Sequence, residues 1–283
     1  MSLSISAYIP CYNNAASLGE AIASILQQTH AVEQVLVVDD GSTDGSVEVA
    51  RDCGVQVVSH ERNLGRGAAR HRAMQSLTTD LVLCCDATNR LHPEFIRRGL
   101  HWFDDDRLAA VFGRFAPAPT HSAIDRWRNR HLFLVDRLHA PPRHRAGLNT
   151  YGAIVRRSTV MEIGNYDARL RRGEDANLGN RLLAAGFDTV CDPQLTVVST
   201  VSNTLPQVLE RYWRWKAEYR DRGLSWHDYL KLVYYSVKIL ARRDLKDRDW
   251  MGVPISLLTP HYQLWQSRRR ASRASGSDRP LST

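Results

Sequence analysis

The sequence lacks the features that mark disulfide-stabilised and membrane-spanning proteins. It has five cysteines, an odd number, and no Cys-x-x-Cys pair. A disulfide framework is therefore not expected, which favours a reducing compartment. No run of about 18 uncharged apolar residues occurs, so no transmembrane helix is predicted. The N-terminus also lacks the basic region of a signal peptide. We expect a cytoplasmic protein.

The C-terminal part of the chain has too few acidic residues to balance its basic ones. Residues 1–200 carry 22 arginines and 22 acidic residues, whereas residues 201–283 carry 16 basic and 8 acidic residues. The formal net charge of +8 therefore comes from the C-terminal segment alone. A basic segment on a neutral body indicates an anionic partner, either a membrane surface or a nucleic acid. The alternative is a solvated tail that aids solubility.

Strand-like and helix-like segments alternate in the N-terminal part of the chain. Apolar runs such as Val35–Val38 and Leu81–Cys85 are typical of strands that are buried on both faces. The alternation predicts an α/β, Rossmann-like fold with a mostly parallel sheet flanked by helices. In such sheets ligands bind beyond the carboxyl ends of the strands, which is where Asp39, Asp40 and Asp86 lie.

The composition predicts three regions along the chain. These are an α/β domain over residues 1–200, a helical extension over 201–266 that is rich in Trp, Tyr and Arg, and a basic, disordered tail over 267–283. Residues 116–148 contain four prolines and four histidines and are predicted to form a surface excursion with one helix near 124–138. The histidine spacing matches no metal-binding template.

Three loops carry carboxylates where a predicted strand ends or a predicted helix begins. They read Asp39-Asp-Gly-Ser-Thr-Asp44, Asp86-Ala-Thr-Asn89 and Gly173-Glu-Asp175. Any one of them is explained as a turn or a helix cap, because Asp is common at both. The occurrence of all three favours a shared ligand site over three separate caps.

These loops and two further motifs together resemble a known family. The further motifs are Pro10-Cys-Tyr-Asn13 and Asn63-Leu-Gly-Arg-Gly-Ala-Ala-Arg70. In order and spacing the set resembles the family 2 glycosyltransferases over roughly residues 3–200. The resemblance implies a GT-A fold and a nucleotide-sugar donor, with UDP as the expected nucleotide. It also implies transfer to an acceptor hydroxyl in one displacement, with inversion at the anomeric carbon.

The resemblance assigns the donor nucleotide to residues that follow the first strands. Tyr12 matches the residue that stacks on the base, as a flat aromatic ring can, and Pro10 belongs to the same motif. Asp39 and Asp40 match the acidic pair that accepts hydrogen bonds from the base edge and the ribose. Arg70 matches a basic residue of the nucleotide pocket.

Asp86 matches the first residue of the Asp-x-Asp motif of the family, which binds the donor through a divalent cation on its diphosphate. The third position of the motif is Thr88 rather than Asp, and Asn89 follows. Neutral oxygen ligands bind Mg²⁺ or Mn²⁺ more weakly than carboxylates do, so we expect a weak Mg²⁺ or Mn²⁺ site at Asp86 and Thr88. The departure leaves an alternative open, a catalytically impaired nucleotide-sugar binding protein of the same fold.

The resemblance also implies the catalytic and acceptor residues. Asp175 matches the general base, which takes the proton of the acceptor hydroxyl; its alternative role is a helix cap. Glu174 precedes it and is expected to contact the acceptor. Tyr151 and Gly152 match the segment on the acceptor side, where a glycine would allow close approach of the ligand.

The acceptor itself is not identified by any motif. Apolar and aromatic residues recur at helical spacing from Trp226 to Leu240, with Lys and Arg beside them. This pattern is typical of a helix that lies on a membrane and would suit a lipid-linked acceptor and peripheral contact with the inner face of the membrane. We favour the alternative, in which the stripe packs on the α/β domain. A nucleic-acid-binding protein is the weakest interpretation, because no recognition motif accompanies the basic tail.

Overall fold

The structure is a computed structural model, and it describes residues 3–117, 122–215 and 223–276. The strands are β1 (Ile5–Cys11), β2 (Val35–Asp39), β3 (Gln56–Ser59), β4 (Leu81–Cys85), β5 (Asn89–Leu91), β6 (Leu108–Phe115), β7 (Gly152–Arg156) and β8 (Asp188–Ser199). The helices are α1 (Ala15–Leu26), α2 (Ser46–Asp52), α3 (Arg66–Ser76), α4 (Phe95–Leu100), α5 (Ala123–Arg128), α6 (Arg157–Glu162), α7 (Glu174–Ala184), α8 (Leu205–Trp215), α9 (Trp226–Tyr235), α10 (Arg242–Lys246) and α11 (Gly252–Gly276). Short 3-10 or π segments lie at His101–Asp104, Asn129–Phe133, Val135–Arg137 and Ser236–Ala241.

The chain divides into two compact units. Unit 1 consists of residues 1–118 and 135–201 and contains all the described strands, whereas unit 2 consists of residues 119–134 and 202–283 and is helical. The first part of unit 2 falls in the segment predicted to be a surface excursion. It clusters with the C-terminal helices because the Trp127 ring packs edge to face on Tyr212 and its Nε1 donates to Ser256 Oγ at 2.8 Å.

The sheet of unit 1 has the strand order β3-β2-β1-β4-β7-β6-β8-β5. The first four strands in this order are parallel, and β7 lies antiparallel between β4 and β6. Strand β8 runs parallel to β6, and the short β5 pairs antiparallel with β8. The predicted α/β fold is confirmed. Its second half is mixed, which the alternation of strands and helices near the N-terminus does not reveal.

The parallel half of the sheet brings the predicted site loops to one edge. Every residue of β2 and β4 is buried, as expected for aliphatic strands covered on both faces. The register places Cys11 beside Asp39, and Asp86 follows β4 directly. Because parallel strands end at the same edge, the loops after β1, β2 and β4 lie side by side.

The C-terminal helices differ in extent from the predicted regions. Helix α11 continues to Gly276, into the segment predicted to be disordered, and the rest of that segment, from residue 277 on, lies outside the described residues. Among the helices that the structure describes, none combines the length and the apolar character needed to cross a membrane.

Candidate active site

The loops after β1 and β2 are joined by hydrogen bonds between side chains and backbone. Ser42 Oγ accepts from Asn13 N at 2.9 Å, and Asn13 Oδ1 accepts from Thr43 N at 2.9 Å. Asp44 Oδ2 accepts from Ala15 N at 3.0 Å, at the start of α1. Short polar side chains thus satisfy the backbone where strand pairing ends, which explains locally why this loop is rich in Ser, Thr and Asp.

The side chains of Tyr12 and Asp39 remain available to a ligand at this edge of the sheet. The Tyr12 side chain, which follows β1, is 46% exposed. Pro10, two residues earlier, is in register with Val38 of β2. The Asp39 carboxylate accepts from Ser42 N at 3.2–3.3 Å and has no second donor in the described ranges. A buried carboxylate with one long hydrogen bond can accept more, as the predicted base or ribose contact requires.

Asp40, in contrast, is engaged by the protein itself. Its Oδ1 accepts from Leu64 N at 2.9 Å and lies 2.8 Å from His60 Nδ1, and its Oδ2 accepts from Gly65 N at 2.7 Å. Gly65 has a φ of 104°, and a Cβ there would lie 2.7 Å from the Arg171 Cα, so the loop needs a glycine. This geometry favours a structural role for Asp40 over the predicted nucleotide contact.

Arg70 lies at the centre of a buried ion cluster on α3. Its side chain is 1% exposed. Its Nη2 donates to Asp86 Oδ1 at 2.7 Å, and its Nε donates to Glu174 Oε1 at 3.0 Å. Its Nη1 lies 3.4 Å from the Tyr8 hydroxyl and 3.5 Å from the Thr150 carbonyl oxygen. Protein groups thus occupy the guanidinium, which favours a positioning role over the predicted nucleotide contact.

Asp86 and Thr88 lie in a turn that follows β4. The turn is closed by a hydrogen bond from Asn89 N to the Asp86 carbonyl oxygen at 3.0 Å. The Asp86 side chain is 25% exposed, and its Oδ1 is held by Arg70. Within the described part of the chain, Asp86 Oδ2 and the Thr88 hydroxyl have no hydrogen-bond partner. Asn89 is less accessible to a ligand, because its side chain is buried and its Nδ2 donates to the Tyr151 carbonyl oxygen at 3.0 Å.

The donor set of this turn fits a divalent cation that is shared with a phosphate. No group of three or more His, Cys, Asp or Glu side chains that could enclose a metal occurs among residues 3–117, 122–215 and 223–276. Asp86 nevertheless offers a carboxylate oxygen and Thr88 a hydroxyl, and both are hard oxygen ligands. Mg²⁺ is commonly bound through one or two carboxylates plus substrate phosphates rather than by a cage of protein ligands.

Glu174 and Asp175 open α7 but have different environments. The Glu174 side chain is 1% exposed; its Oε1 is held by Arg70, and its buried Oε2 has no partner. This burial does not favour the predicted contact with an acceptor. Asp175 is half-buried, and burial together with the neighbouring Glu174 charge raises its pKa. A carboxylate with a raised pKa is a stronger base, which suits proton abstraction.

The predicted acceptor residues, Tyr151 and Gly152, directly follow Thr150, whose carbonyl oxygen lies 3.5 Å from Arg70 Nη1. Tyr151 packs its ring on Phe115, with 4.3 Å between ring centroids, and its hydroxyl donates to the Gly113 carbonyl oxygen at 2.9 Å. Gly152 begins β7, and a Cβ there would lie 2.5 Å from Val197 Cγ2. A side chain of β8, rather than an approaching ligand, therefore accounts for the glycine.

Sequence reasoning did not single out Arg66, the first residue of α3. Its side chain is 49% exposed, and its Nε lies 3.6 Å from Glu174 Oε1. A cation in the first turn of a helix is disfavoured by the helix dipole. Because Arg66 and Arg70 are four residues apart and so share a helix face, the pair is a sequence signal for a nearby anion, which the structure identifies as Glu174.

Comparisons with known proteins identify the family of the chain. The family model described as glycosyl transferase family 2 matches residues 6–164. An N-acetylglucosaminyltransferase of Mesorhizobium japonicum is 30% identical over an alignment of 247 residues that covers 78% of this chain and 57% of that protein. The succinoglycan biosynthesis protein ExoU of Rhizobium meliloti is 32% identical over an alignment of 197 residues that covers 63% of this chain and 56% of that protein. The chain thus spans little more than half the length of these relatives.

Solved structures share the fold at low sequence identity. The mannosyltransferase PcManGT from Pyrobaculum calidifontis, in complex with GDP-Man and Mn²⁺, has a TM-score of 0.59 at 16% identity, over 99% of this chain and 77% of that one. S. aureus TarS has a TM-score of 0.52 at 18% identity, over 84% of this chain and 46% of that one. The fold is that of GT-A glycosyltransferases, and because the family model covers more than half of the sequence, the chain belongs to glycosyl transferase family 2.

Proposed function

We propose that this chain is an inverting glycosyltransferase that moves a sugar from a nucleotide diphosphate, expected to be UDP, to an acceptor hydroxyl. The observation that carries the proposal is the cluster around Arg70. One buried guanidinium binds Asp86, at the end of β4, and Glu174, at the start of α7. The side chain thereby connects the loop assigned to the donor diphosphate with the helix that carries the candidate base.

The donor nucleotide binds, in this proposal, at the ends of β1 and β2. The exposed Tyr12 ring offers a flat face to the base, and the Asp39 carboxylate accepts a hydrogen bond from the base or the ribose. Relatives named as N-acetylglucosaminyltransferases make UDP-N-acetylglucosamine the first donor to test.

A divalent cation, Mg²⁺ or Mn²⁺, would neutralise charge on the diphosphate when bound. Asp86 Oδ2 and the Thr88 hydroxyl are the groups that would hold it, while Arg70 fixes the other oxygen of Asp86. Arg66 adds a half-exposed positive charge close to Glu174. The Mn²⁺ in the complex of PcManGT supports the same chemistry for this fold.

Asp175 accepts the proton of the acceptor hydroxyl as the oxygen of that hydroxyl attacks the anomeric carbon and the bond to the diphosphate breaks. Burial and the charge of Glu174 raise the pKa of Asp175, so it holds a proton more firmly than an ordinary aspartate. Glu174 is a positioning residue: its ion pair with Arg70 fixes the first turn of α7. Tyr151 lies on the acceptor side, and a lipid-linked hydroxyl compound is one acceptor class within this proposal.

A second candidate function is favoured by one observation. Thr88 stands where the family motif has a second carboxylate, so the chain would bind a nucleotide sugar without turning it over. The two candidates share the donor site and differ only in product formation.

A thermal-shift panel of UDP-N-acetylglucosamine, UDP-glucose and GDP-mannose, each with Mn²⁺ or with EDTA, tests the proposal. A ligand that binds the native state raises the Tm by mass action, by an amount that corresponds to about 2.7 kcal/mol at a hundred times its Kd. We expect a UDP-linked donor to raise the Tm more with Mn²⁺ than with EDTA.

Variants identify the site in the same panel. Tyr12→Ala should reduce the shift, whereas Tyr234→Ala, at an exposed tyrosine of α9, should leave it unchanged. If no nucleotide sugar raises the Tm, the donor site is not at this edge. A shift without product on any hydroxyl acceptor would favour the binding protein.

A further inference from the structure

Unit 2 exposes a set of large apolar side chains that the proposed transfer reaction does not use. Six members of this set are 47–69% accessible: Trp226, Leu230, Tyr234, Val237, Trp250 and Met251. Several large apolar side chains exposed in one unit suggest an interaction site. The exposure of these residues contrasts with the burial that the sequence pattern led us to favour.

Four of these side chains form a single stripe, which we call the aromatic stripe. Trp226, Leu230, Tyr234 and Val237 are spaced by four, four and three residues along α9 and the π segment that follows it, so they share one side of the helix. Asp228 and Ser236, on the other side, are buried. The helix therefore presents an apolar face to solvent.

Three of the four carboxylates between residues 226 and 250 are buried, and the fourth, Asp247, is partly exposed and paired with Arg130. Asp244 accepts from Arg130 Nη1 at 2.7 Å and is fully buried. Asp249 accepts from Arg126 Nη2 at 3.1 Å, and Asp228 is used in the capping box of α9. These acids therefore contribute little negative charge to the surface that carries the aromatic stripe.

Lysines in the same segment are turned outward. Lys231 and Lys238 are exposed and follow Leu230 and Val237 directly, so each borders the aromatic stripe. Among the described residues no carboxylate lies within 4.0 Å of either ammonium group. The guanidinium of Arg268 lies 5.2 Å from the ring centroid of Trp226 and adds positive charge at the start of the stripe.

Aromatic rings bordered by unpaired lysines match the chemistry of an anionic lipid surface. Trp and Tyr prefer the headgroup level of a bilayer, lysines near it are attracted by anionic lipids, and their aliphatic stems extend along the apolar boundary. A second copy of the chain is a poorer occupant. In a two-fold symmetric contact along the stripe, lysines would lie opposite lysines.

We propose that unit 2 docks on an anionic bilayer through the aromatic stripe and the flanking Lys231 and Lys238. Trp250 and Met251, in the turn after α10, supply a second point of insertion. This inference is independent of the transfer reaction, because it rests on no residue of the candidate active site. It would bring the enzyme to acceptors that are held in a membrane.

Co-sedimentation of the full chain with vesicles tests the proposal. We compare vesicles of phosphatidylglycerol and phosphatidylcholine with vesicles of phosphatidylcholine alone, in about 0.05 M and about 0.5 M NaCl, which bracket a Debye length of roughly 10 Å. The chain should bind the anionic vesicles at low salt and lose most of that binding at high salt. Lys231→Ala and Lys238→Ala should each weaken binding by about fivefold.

Charged substitutions in the stripe separate apolar insertion from simple charge attraction. Leu230→Glu and Tyr234→Glu should each weaken binding by about tenfold or more, because they place a charge at the apolar boundary. Leu26→Glu, at an exposed leucine of α1 in unit 1, is the matched control and should bind as the unchanged chain does. Circular dichroism and the Tm check that each variant is folded, and Leu230→Ala serves where the Glu variant does not fold.

Several results would overturn the proposal. These are a chain that stays in the supernatant at low salt, equal binding to uncharged vesicles, or full binding by folded stripe variants. Sedimentation velocity covers the other occupant: a dimer that Tyr234→Glu dissociates would mean that a second copy, rather than a bilayer, covers the stripe.

Discussion

Each unit buries an arginine among carboxylates, Arg70 in unit 1 and Arg130 in unit 2, but the carboxylates are left in different states. Around Arg70, Glu174 Oε2 is buried without a partner, and Asp86 Oδ2 is unpartnered in the described ranges. Around Arg130, Asp244 uses both oxygens, since Oδ1 also lies 2.6 Å from His131 Nε2 and Oδ2 accepts from Ser256 Oγ at 2.5 Å.

This difference in hydrogen bonding distinguishes a ligand-binding site from a network that only stabilises the fold. A buried acceptor without a donor costs about 1–3 kcal/mol, and such groups persist at sites where a ligand supplies the missing donor. A network in which every member is satisfied mainly stiffens the fold. Incomplete pairing around Arg70 and complete pairing around Asp244 therefore predict different consequences of substitution in the two units.

The largest expected effect comes from removing each arginine. Arg70→Ala and Arg130→Ala should each lower the free energy of unfolding by about 3–5 kcal/mol, because a buried carboxylate loses its partner. The folded fraction of Arg70→Ala should be inactive, since Asp86 and Glu174 are no longer positioned. The folded fraction of Arg130→Ala should retain turnover. Urea unfolding and initial rates measure the two effects.

Milder variants keep this comparison interpretable if the alanine variants do not fold. Arg70→Lys and Arg130→Lys keep the charge but lose the forked geometry that binds two carboxylates. Activity should again be lost only for Arg70→Lys. Equal losses of activity in both variants would remove the distinction between the two clusters.

A smaller effect is expected at the candidate base. Asp175→Asn should lower turnover by about a hundredfold or more, because the amide cannot accept the proton, while donor affinity and the Tm stay nearly unchanged. Asp244→Asn in unit 2 is the matched control and should lower the Tm with turnover retained. An Asp175→Asn enzyme that keeps most of its activity would leave this residue with only a structural role in the first turn of α7, where its Oδ1 accepts from Ala176 N at 2.8 Å.

The order of the loops could be predicted from the sequence because it depends on local patterns. Apolar runs define β1, β2 and β4, and the residues after them, Asp39 and Asp86, come to one edge by the geometry of parallel strands. The partners of Arg70 could not be predicted in this way. Arg70 and Glu174 are 104 residues apart, and their pairing depends on how α3 and α7 pack.

The roles of individual side chains within the motifs could not be predicted from the sequence either. Asp39 and Asp40 are adjacent in sequence, yet only the Asp40 carboxylate accepts hydrogen bonds from the loop before α3. The sequence predicts that a ligand approaches Gly152, whereas in the structure the Val197 side chain occupies the space beside it. In both cases a distant segment decides the role, and no local pattern records which segment that will be.

Adjacent Asp39 and Asp40 offer a comparison within unit 1. Asp39→Ala should weaken UDP binding by about 1–3 kcal/mol, the cost of an unpaired donor, with little change in the Tm. Asp40→Ala should instead lower the Tm, because the amides of Leu64 and Gly65 lose their acceptor. Titration calorimetry with UDP and thermal unfolding separate these outcomes, and unchanged affinity in both variants would contradict the nucleotide site.

The smallest expected effect is a shift of the pH profile, and it tests the incomplete pairing of Glu174 directly. Burial, and then the charge of Glu174, raise the pKa of Asp175. A base works only when ionised, so kcat/KM should fall as the pH drops through this raised pKa, at a higher pH than an ordinary aspartate near 3.9 would give. Glu174→Gln removes the neighbouring negative charge, so Asp175 should lose its proton more readily. The acid limb should therefore move to lower pH. The position of the limb is the readout, because the loss of the ion pair with Arg70 also lowers the maximal rate.

Glu162→Gln, at the exposed end of α6, is the control and should leave the acid limb in place. A limb that stays put in Glu174→Gln would mean that the titrating base is a group other than Asp175.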